Sequence, residues 1–153
     1  MTPENTLKAM QKQLKSMTDF KSKSVAVGVL ANKSTGKIYE SGATVIEVAA
    51  AHEYGTVTTP ERSFLRMPQE FKQKELSAFI NKKMISVLGG DATTVKGLGL
   101  IGVYAVNLSQ DAFDSSGFGK WPDIDAKTKN RKGSSAILIN RGVLRQSISW
   151  EIR

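Results

Sequence analysis

The sequence contains no cysteine and only one histidine, His52, among its 153 residues. Without cysteine the chain forms no disulfide and no thiolate metal site, and a lone histidine cannot build a histidine cluster. No run of apolar residues reaches the roughly 18 that a membrane span requires, and the polar start of the chain is unlike a secretory signal. We therefore expect a protein made in a reducing cytoplasm that uses no cofactor, no metal and no membrane.

Acidic residues are also in short supply, since 22 lysines and arginines stand against 14 aspartates and glutamates, for a net charge of +8. The excess is largest in residues 120–153, which hold eight basic and three acidic side chains. A basic surface favours nucleic acid or an acidic protein as a partner, although a merely solvated basic face has the same composition. The residues predicted to contact DNA or an acidic partner are Lys127, Lys129, Arg131, Lys132, Arg141 and Arg145.

The N-terminal segment predicts an amphipathic helix, because its apolar residues recur at helical spacing and share one stripe. Those residues are Leu7, Met10, Leu14 and Met17. A terminal helix of this kind docks either on its own domain or on a neighbouring subunit. We assign residues 1–20 to the helix and residues 21–153 to a single α+β domain.

The rest of the chain alternates between strand and helix patterns. Thr44 and Glu47 form a capping-box pair that opens one helix, and Gly89 ends another. The predicted class is α+β, with a small antiparallel or mixed sheet packed with several helices beside the amphipathic N-terminal helix. Strands are predicted at 24–30, at a short piece that begins at 137, and at the end of the chain up to 152. Helices are predicted at 45–54, 68–88, 95–113 and 126–132, and a short one after 142. Residues 31–42 are predicted as a hairpin-like or loose excursion, and 114–123 as a loop.

Two patterns resemble enzyme motifs, and neither has the context that its chemistry needs. The pair His52–Glu53 begins a zinc-protease motif, but Thr56 stands where the second histidine is required. The segment GLGLIG at 97–102 has the letters of a dinucleotide-binding fingerprint, but it follows a polar stretch instead of a buried strand. We interpret its glycines as sites where a helix packs closely on a neighbour. No catalytic residue is predicted.

Three stretches, in a fixed order, resemble a known family. They are AAAHEYGT at 49–56 with PERSFLR at 60–66, then IGVYAVNLSQDAF at 101–113, then Trp121–Pro122 followed by ILINRGVLRQSI at 137–148. Their order and spacing over residues 24–153 resemble the bacteriophage virion-morphogenesis and tail-completion proteins. Glu61 and Ser63 stand where that family more often has proline or another small turn residue, and Arg141 replaces its usual threonine.

The resemblance implies a structural virion protein that forms a ring at the head–tail junction or tail end, with no active site. The implied partners are further copies of the chain and neighbouring connector, terminator, tube or tape-measure proteins, with packaged DNA as a non-specific contact. The loop at 56–66 mixes apolar anchors with arginines, as interface cores do. The predicted interface residues are His52, Glu53, Tyr54, Arg62, Phe64, Leu65 and Arg66. In the alternative interpretation, Phe64 and Leu65 fold back on the domain core.

Two other classes of function stay open on the sequence alone. The positive charge is compatible with a free nucleic-acid-binding regulator, although the chain has no recognition-helix motif and no RNA-binding aromatic signature. An enzyme that binds a nucleotide at 97–102 is the third hypothesis.

Overall fold

The computed structural model describes residues 2–34, 39, 41–132, 135–139 and 142–153 of the chain. Eight helices and two strands lie within this part. In chain order they are α1 (Pro3–Ser22), β1 (Val25–Val29), α2 (Ala31–Ser34), α3 (Val45–Tyr54), α4 (Arg66–Phe71), α5 (Gln73–Leu88), α6 (Thr94–Asp114), α7 (Ala126–Lys132), α8 (Val143–Ser147) and β2 (Ile148–Ile152). None of these described helices combines the length and the apolar character that crossing a membrane demands.

The sheet joins the start of the domain to its end. Strands β1 and β2 pair as an antiparallel ribbon in which Val25 lies opposite Ile152, and backbone hydrogen bonds of 2.8 and 2.9 Å between Ser24 and Arg153 extend the ladder. A two-stranded ribbon is barely stable by itself, so it depends on the helix that covers it. The predicted α+β class with a small antiparallel sheet is confirmed.

Helix α6 supplies that cover, and its glycines receive the indole ring of Trp150 in β2. A Cβ atom on Gly102 would lie 2.6 Å from Trp150 Cδ2, and one on Gly99 would lie 3.1 Å from Trp150 Cη2. Gly97 faces Val87 of α5 in the same way, at 2.7 Å. Only glycine permits so close an approach. These glycines therefore lie within a helix and serve close packing, as the sequence interpretation predicts.

The main core forms where α3, α6 and the segments after α3 and α6 meet. Phe64 is completely buried and packs edge-on against Phe113, with ring centroids 5.4 Å apart. Trp121 packs against the other side of Phe113 at 5.6 Å. Edge-to-face pairs of this kind add to the free energy gained from burying their area. This aromatic triplet holds the segments that contain Phe64 and Trp121 against α6.

Side chains cap the starts of α3 and α6. At α3 the backbone N–H of Glu47 donates to Thr44 Oγ1 at 3.2 Å, and Glu47 Oε2 accepts from the Thr44 backbone N–H at 2.7 Å. The bond from the Thr44 backbone is the largest cause that lowers the pKa of Glu47. At α6 Thr93 Oγ1 accepts from the Lys96 backbone N–H at 3.2 Å. The predicted capping box and the predicted start of α6 are both confirmed.

The predicted helix at 68–88 is in fact two helices that meet at Lys72. Helix α4 starts two residues earlier than predicted because Pro68 fits within its first turn, where a missing N–H breaks no helical hydrogen bond. Beside the junction at Lys72, Phe71 stacks on Phe118 with ring centroids 4.7 Å apart. Helix α5 then packs against α6.

The predicted strand piece at 137 was wrong, because this segment forms a turn in which Leu138 has a φ of +58°. Its apolar residues are present to pack: Ile137 is buried in the core. Of the loose excursion predicted at 31–42, the first four residues form α2, and 35–38 and 40 lie outside the described residues.

We expect Gly102→Ala to lower the free energy of unfolding by about 1–3 kcal/mol through overpacking against Trp150, although alanine favours a helix over glycine by about 1 kcal/mol. Asn107→Ala, at an exposed position of the same helix, is the matched control and should stay within about 0.5 kcal/mol of the parent. Urea denaturation followed by circular dichroism measures both. Equal or greater stability of Gly102→Ala would contradict the close packing.

Candidate interaction surfaces

A buried carboxylate joins the end of α3 to the start of α4. Glu53 Oε1 accepts from Ser63 Oγ at 2.7 Å and from the Arg66 backbone N–H at 3.0 Å. Glu53 Oε2 accepts from the backbone N–H groups of Phe64 and Leu65, both at 2.9 Å. The first amides of a helix have no hydrogen-bond partner within it and carry partial positive charge. The carboxylate of Glu53, which belongs to α3, therefore supplies the acceptors that the start of α4 lacks.

An arginine and a tryptophan hold the same loop from the other side. Arg62 is buried, and its Nε and Nη2 donate to the backbone oxygens of Pro122 and Asp123, both at 2.9 Å. Burial lowers the pKa of Arg62, and the nearby charge of Asp123 opposes that effect. Trp121 Nε1 donates to the Ser63 carbonyl at 3.1 Å. The anchor formed by Glu53, Arg62, Ser63 and Trp121 ties three separate segments into one rigid base.

Above this base the chain makes a tight excursion whose tip is apolar. It leaves α3 at Gly55, whose φ is +73° and whose absent Cβ makes room for the Glu61 backbone. Thr56 closes the tip, since its N–H donates to the Thr59 carbonyl at 2.8 Å and its Oγ1 accepts from the Thr59 N–H at 3.0 Å. Val57 is fully exposed there, and Tyr54 at the end of α3 is 75% exposed. We call Tyr54 and Val57 the loop tip.

The structure divides the predicted interface residues into two groups. Phe64 has 0% exposure and belongs to the core, so for this residue the fold-back interpretation is correct and the interface assignment is corrected. Glu53 and Arg62 are buried in the anchor and are likewise unable to reach a partner. The remaining predicted residues are half-buried, His52 and Leu65, or exposed, Tyr54 and Arg66.

The surroundings of Arg66 and Val57 explain part of this division. Arg66 is held at the surface by an ion pair with Glu61 at 2.5 Å, and such exposed pairs contribute little to stability. Val57 is one of the apolar anchors of the loop at 56–66, although it is not among the individual interface residues predicted above. Its signal was a β-branched apolar residue between three threonines directly after a helix-ending glycine, where no core lies within reach.

The basic residues near the C-terminus are less available than their number suggests. Lys129 forms an ion pair of 2.5 Å with Asp123, and Arg145 forms one of 2.6 Å with Asp114. Lys127 and Arg131 are exposed. Arg141 and the side chain of Lys132 lie outside the described residues.

A groove of about 1010 Å³ opens between α3, the loop after it, α7 and α8. Its walls carry charges of both signs, because both Arg131 and Asp125 line it. A hydrogen bond from the Thr128 backbone is the largest cause that lowers the pKa of Asp125. Nowhere in the described part of the chain do three acidic or histidine side chains gather as a metal site requires.

Helix α1 packs on the rest of the domain in an inverted orientation, which means that its apolar side is turned away from the domain. The stripe of Leu7, Met10, Leu14 and Met17 is 56–62% exposed, and no residue of α1 is buried. Its polar side faces the protein: Lys12 Nζ donates to the Gly90 carbonyl at 3.2 Å. The prediction of an amphipathic helix is confirmed, and the structure leaves its apolar side uncovered.

Comparisons of this chain with models of protein families, with curated proteins and with solved structures found no match.

We expect Glu53→Gln to lower the free energy of unfolding by about 2–4 kcal/mol, because an amide keeps one acceptor oxygen and turns a donor toward other donors. Glu61→Gln, at a half-exposed carboxylate on the same loop, is the control and should cost less than about 1 kcal/mol. Hydrogen exchange should quicken at the amides of Phe64 and Leu65 in the Glu53 variant alone. Unchanged exchange there would contradict the anchor.

Proposed function

We propose that this chain is a structural, non-enzymatic subunit of a bacteriophage particle, assembled as a ring at the head–tail junction or at the tail end. The ordered resemblance of three sequence segments to virion-morphogenesis and tail-completion proteins is its starting point. The single observation that carries the proposal is the loop tip, two exposed residues of which one ends α3 and the other lies in the anchored loop that follows it.

The loop tip has the physical properties of an interface anchor. Val57 is fully exposed within the loop and Tyr54 is 75% exposed at the end of α3, so neither side chain contributes much buried area to the monomer. The anchor beneath fixes the loop through Glu53 and Arg62, so docking would cost little conformational entropy. Aromatic and aliphatic side chains presented in this way provide most of the binding energy in many interfaces.

Ring formation further requires two different surfaces on one chain, because neighbours in a closed ring meet head to tail. The loop tip offers a protruding surface. The groove beside α7, with its mixed charges, offers a concave one.

The charge distribution fits a position near DNA. The exposed Lys127 and Arg131 would attract phosphates diffusely, and contacts of this kind position DNA without reading its bases. Diffuse attraction suits DNA that must slide through a channel.

The enzyme hypothesis receives no support from the glycine-rich segment. Gly99 and Gly102 lie inside α6 with the Trp150 ring against them, whereas a dinucleotide site needs glycines in a turn before a helix N-terminus.

Particles of the phage that encodes this chain provide the test. Quantitative mass spectrometry of purified particles should find a low and fixed copy number of the polypeptide. The double variant Tyr54→Asp/Val57→Asp should lower its incorporation at least about tenfold, since a charge must then be buried in the contact. The variant should fold normally because both positions are exposed.

The matched control is Ile85→Asp, which introduces the same charge at a position on α5 that is 70% exposed. It should be incorporated like the parent. Normal incorporation of the loop-tip variant would contradict the role of the loop tip, and particles without the polypeptide would contradict the proposed function itself.

A further inference from the structure

We propose that α1 pairs with α1 of a second copy of this chain, as an antiparallel two-helix seam, and that the free protein is therefore a dimer. Three features of α1 point to this pairing: its inverted orientation, the spacing of its apolar residues and the charges at its two ends.

The orientation of α1 turns its apolar stripe away from its own domain and leaves it exposed. A surface helix normally turns its apolar side toward the core. Here Ser16, Asp19 and Phe20 are half-buried on the side that faces the body, and Lys12 is bonded to Gly90 there. The body thus occupies the side of α1 opposite the stripe, so a second helix can reach the stripe without meeting the body.

The stripe has the pattern of a helix–helix seam. Leu7, Met10, Leu14 and Met17 follow spacings of 3, 4 and 3 residues, which are the two inward positions of two successive heptads. A narrow seam of this type fits another helix, while the wide apolar face of a membrane-surface helix is absent. The positions that flank the seam are mostly uncharged, so two identical helices do not repel: Thr6, Gln11, Gln13 and Thr18.

Charge at the ends of the seam selects the antiparallel arrangement. When two copies run antiparallel about a common centre, Leu7 packs on Met17 of the other copy and Met10 on Leu14. This register places Lys21 of each copy opposite Pro3 of the other and beside Glu4, whose carboxylate also accepts from Lys8 of its own helix at 2.6 Å, so each end of the seam sets a lysine near an acid. A parallel pair would instead set the two Lys21 side chains against each other within the seam, which is unfavourable.

The area is also of the right size. Four side chains of this kind, each more than half exposed, present on the order of 400 Å² of apolar surface, as much as the largest patch on a typical monomer. That is about half of the roughly 800 Å² that each partner contributes to a standard interface, and the flanking polar residues add the rest.

This inference does not depend on the proposed function. A two-fold contact between identical helices closes on itself, so it is a different contact from the head-to-tail contact of a ring. Each can fail without the other, because the loop-tip variant leaves α1 unchanged.

Sedimentation equilibrium of the purified full chain tests the pairing. The parent should change from monomer to dimer with rising concentration, and Leu14→Glu should weaken the dimer at least about tenfold, because it places a charge in the seam. Ile85→Glu, an equally drastic change at another exposed position, is the control and should dimerise like the parent. At concentrations low enough for both proteins to be monomers, Leu14→Glu should melt at the same temperature as the parent, since Leu14 is exposed in the monomer.

The absence of cysteine makes the register testable by cross-linking. In a mixture of the variants Met10→Cys and Leu14→Cys, oxidation should form mainly mixed 10–14 disulfides, whereas a parallel pair would form 10–10 and 14–14 disulfides. A second test is charge reversal: Glu4→Lys should weaken the dimer, and Glu4→Lys/Lys21→Glu should restore it. A chain that stays monomeric, a dimer that survives Leu14→Glu, or a monomer that binds anionic lipid vesicles through the stripe would overturn the inference.

Discussion

The fold depends on a carboxylate that is buried among backbone amides. Glu53 accepts four hydrogen bonds, three of them from the amides where α4 begins. A buried charge is tolerated only when its hydrogen-bonding capacity is used, and a helix start is stable only when its amides find acceptors. Each of these groups needs the other, so the last turn of α3 and the first turn of α4 can form together only in one geometry.

That geometry determines the rest of the central core. Because Phe64 and Leu65 donate to Glu53 through their backbones, the side chain of Phe64 is directed into the core against Phe113. Trp121 reaches the same loop through the Ser63 carbonyl. A second constraint, Trp150 seated on the glycines of α6, attaches the small sheet. The two constraints share α6, which makes this helix the common support of core and sheet.

Most of the secondary structure could be predicted from the sequence because its signals are local. The capping box of Thr44 and Glu47, the threonine that caps α6 and the periodicity of α1 each involve neighbours along the chain. The bend at Lys72 and the turn at Leu138 could not be predicted, because contacts with distant segments decide them. At both places apolar residues pack on distant segments: Phe71 stacks on Phe118, and Ile137 is buried in the core. The local sequence pattern does not show where the chain must turn to make these contacts.

The candidate site was harder to predict than the fold for a related reason. The sequence around Phe64 looks like an interface because apolar and basic residues alternate, but whether such a segment points inward depends on an acceptor ten or more residues away. One signal was available: α4 has Leu65 at its cap position, a residue that cannot cap a helix. A helix without a cap of its own indicates that another segment completes it, and Glu53 was the nearest acidic residue on a preceding helix.

Burial within the monomer decides which residues are able to contact a partner. The segment at 49–66 is used mainly inside the monomer, where Glu53, Arg62 and Phe64 form part of the anchor and core. What it holds outward is the loop tip, and what the domain leaves uncovered is the stripe of α1. An amphipathic pattern predicts only that an apolar side will be covered, not by what. When the polar side of a helix already lies against its own domain, as the bond from Lys12 to Gly90 shows for α1, burial of the apolar side has to come from another chain.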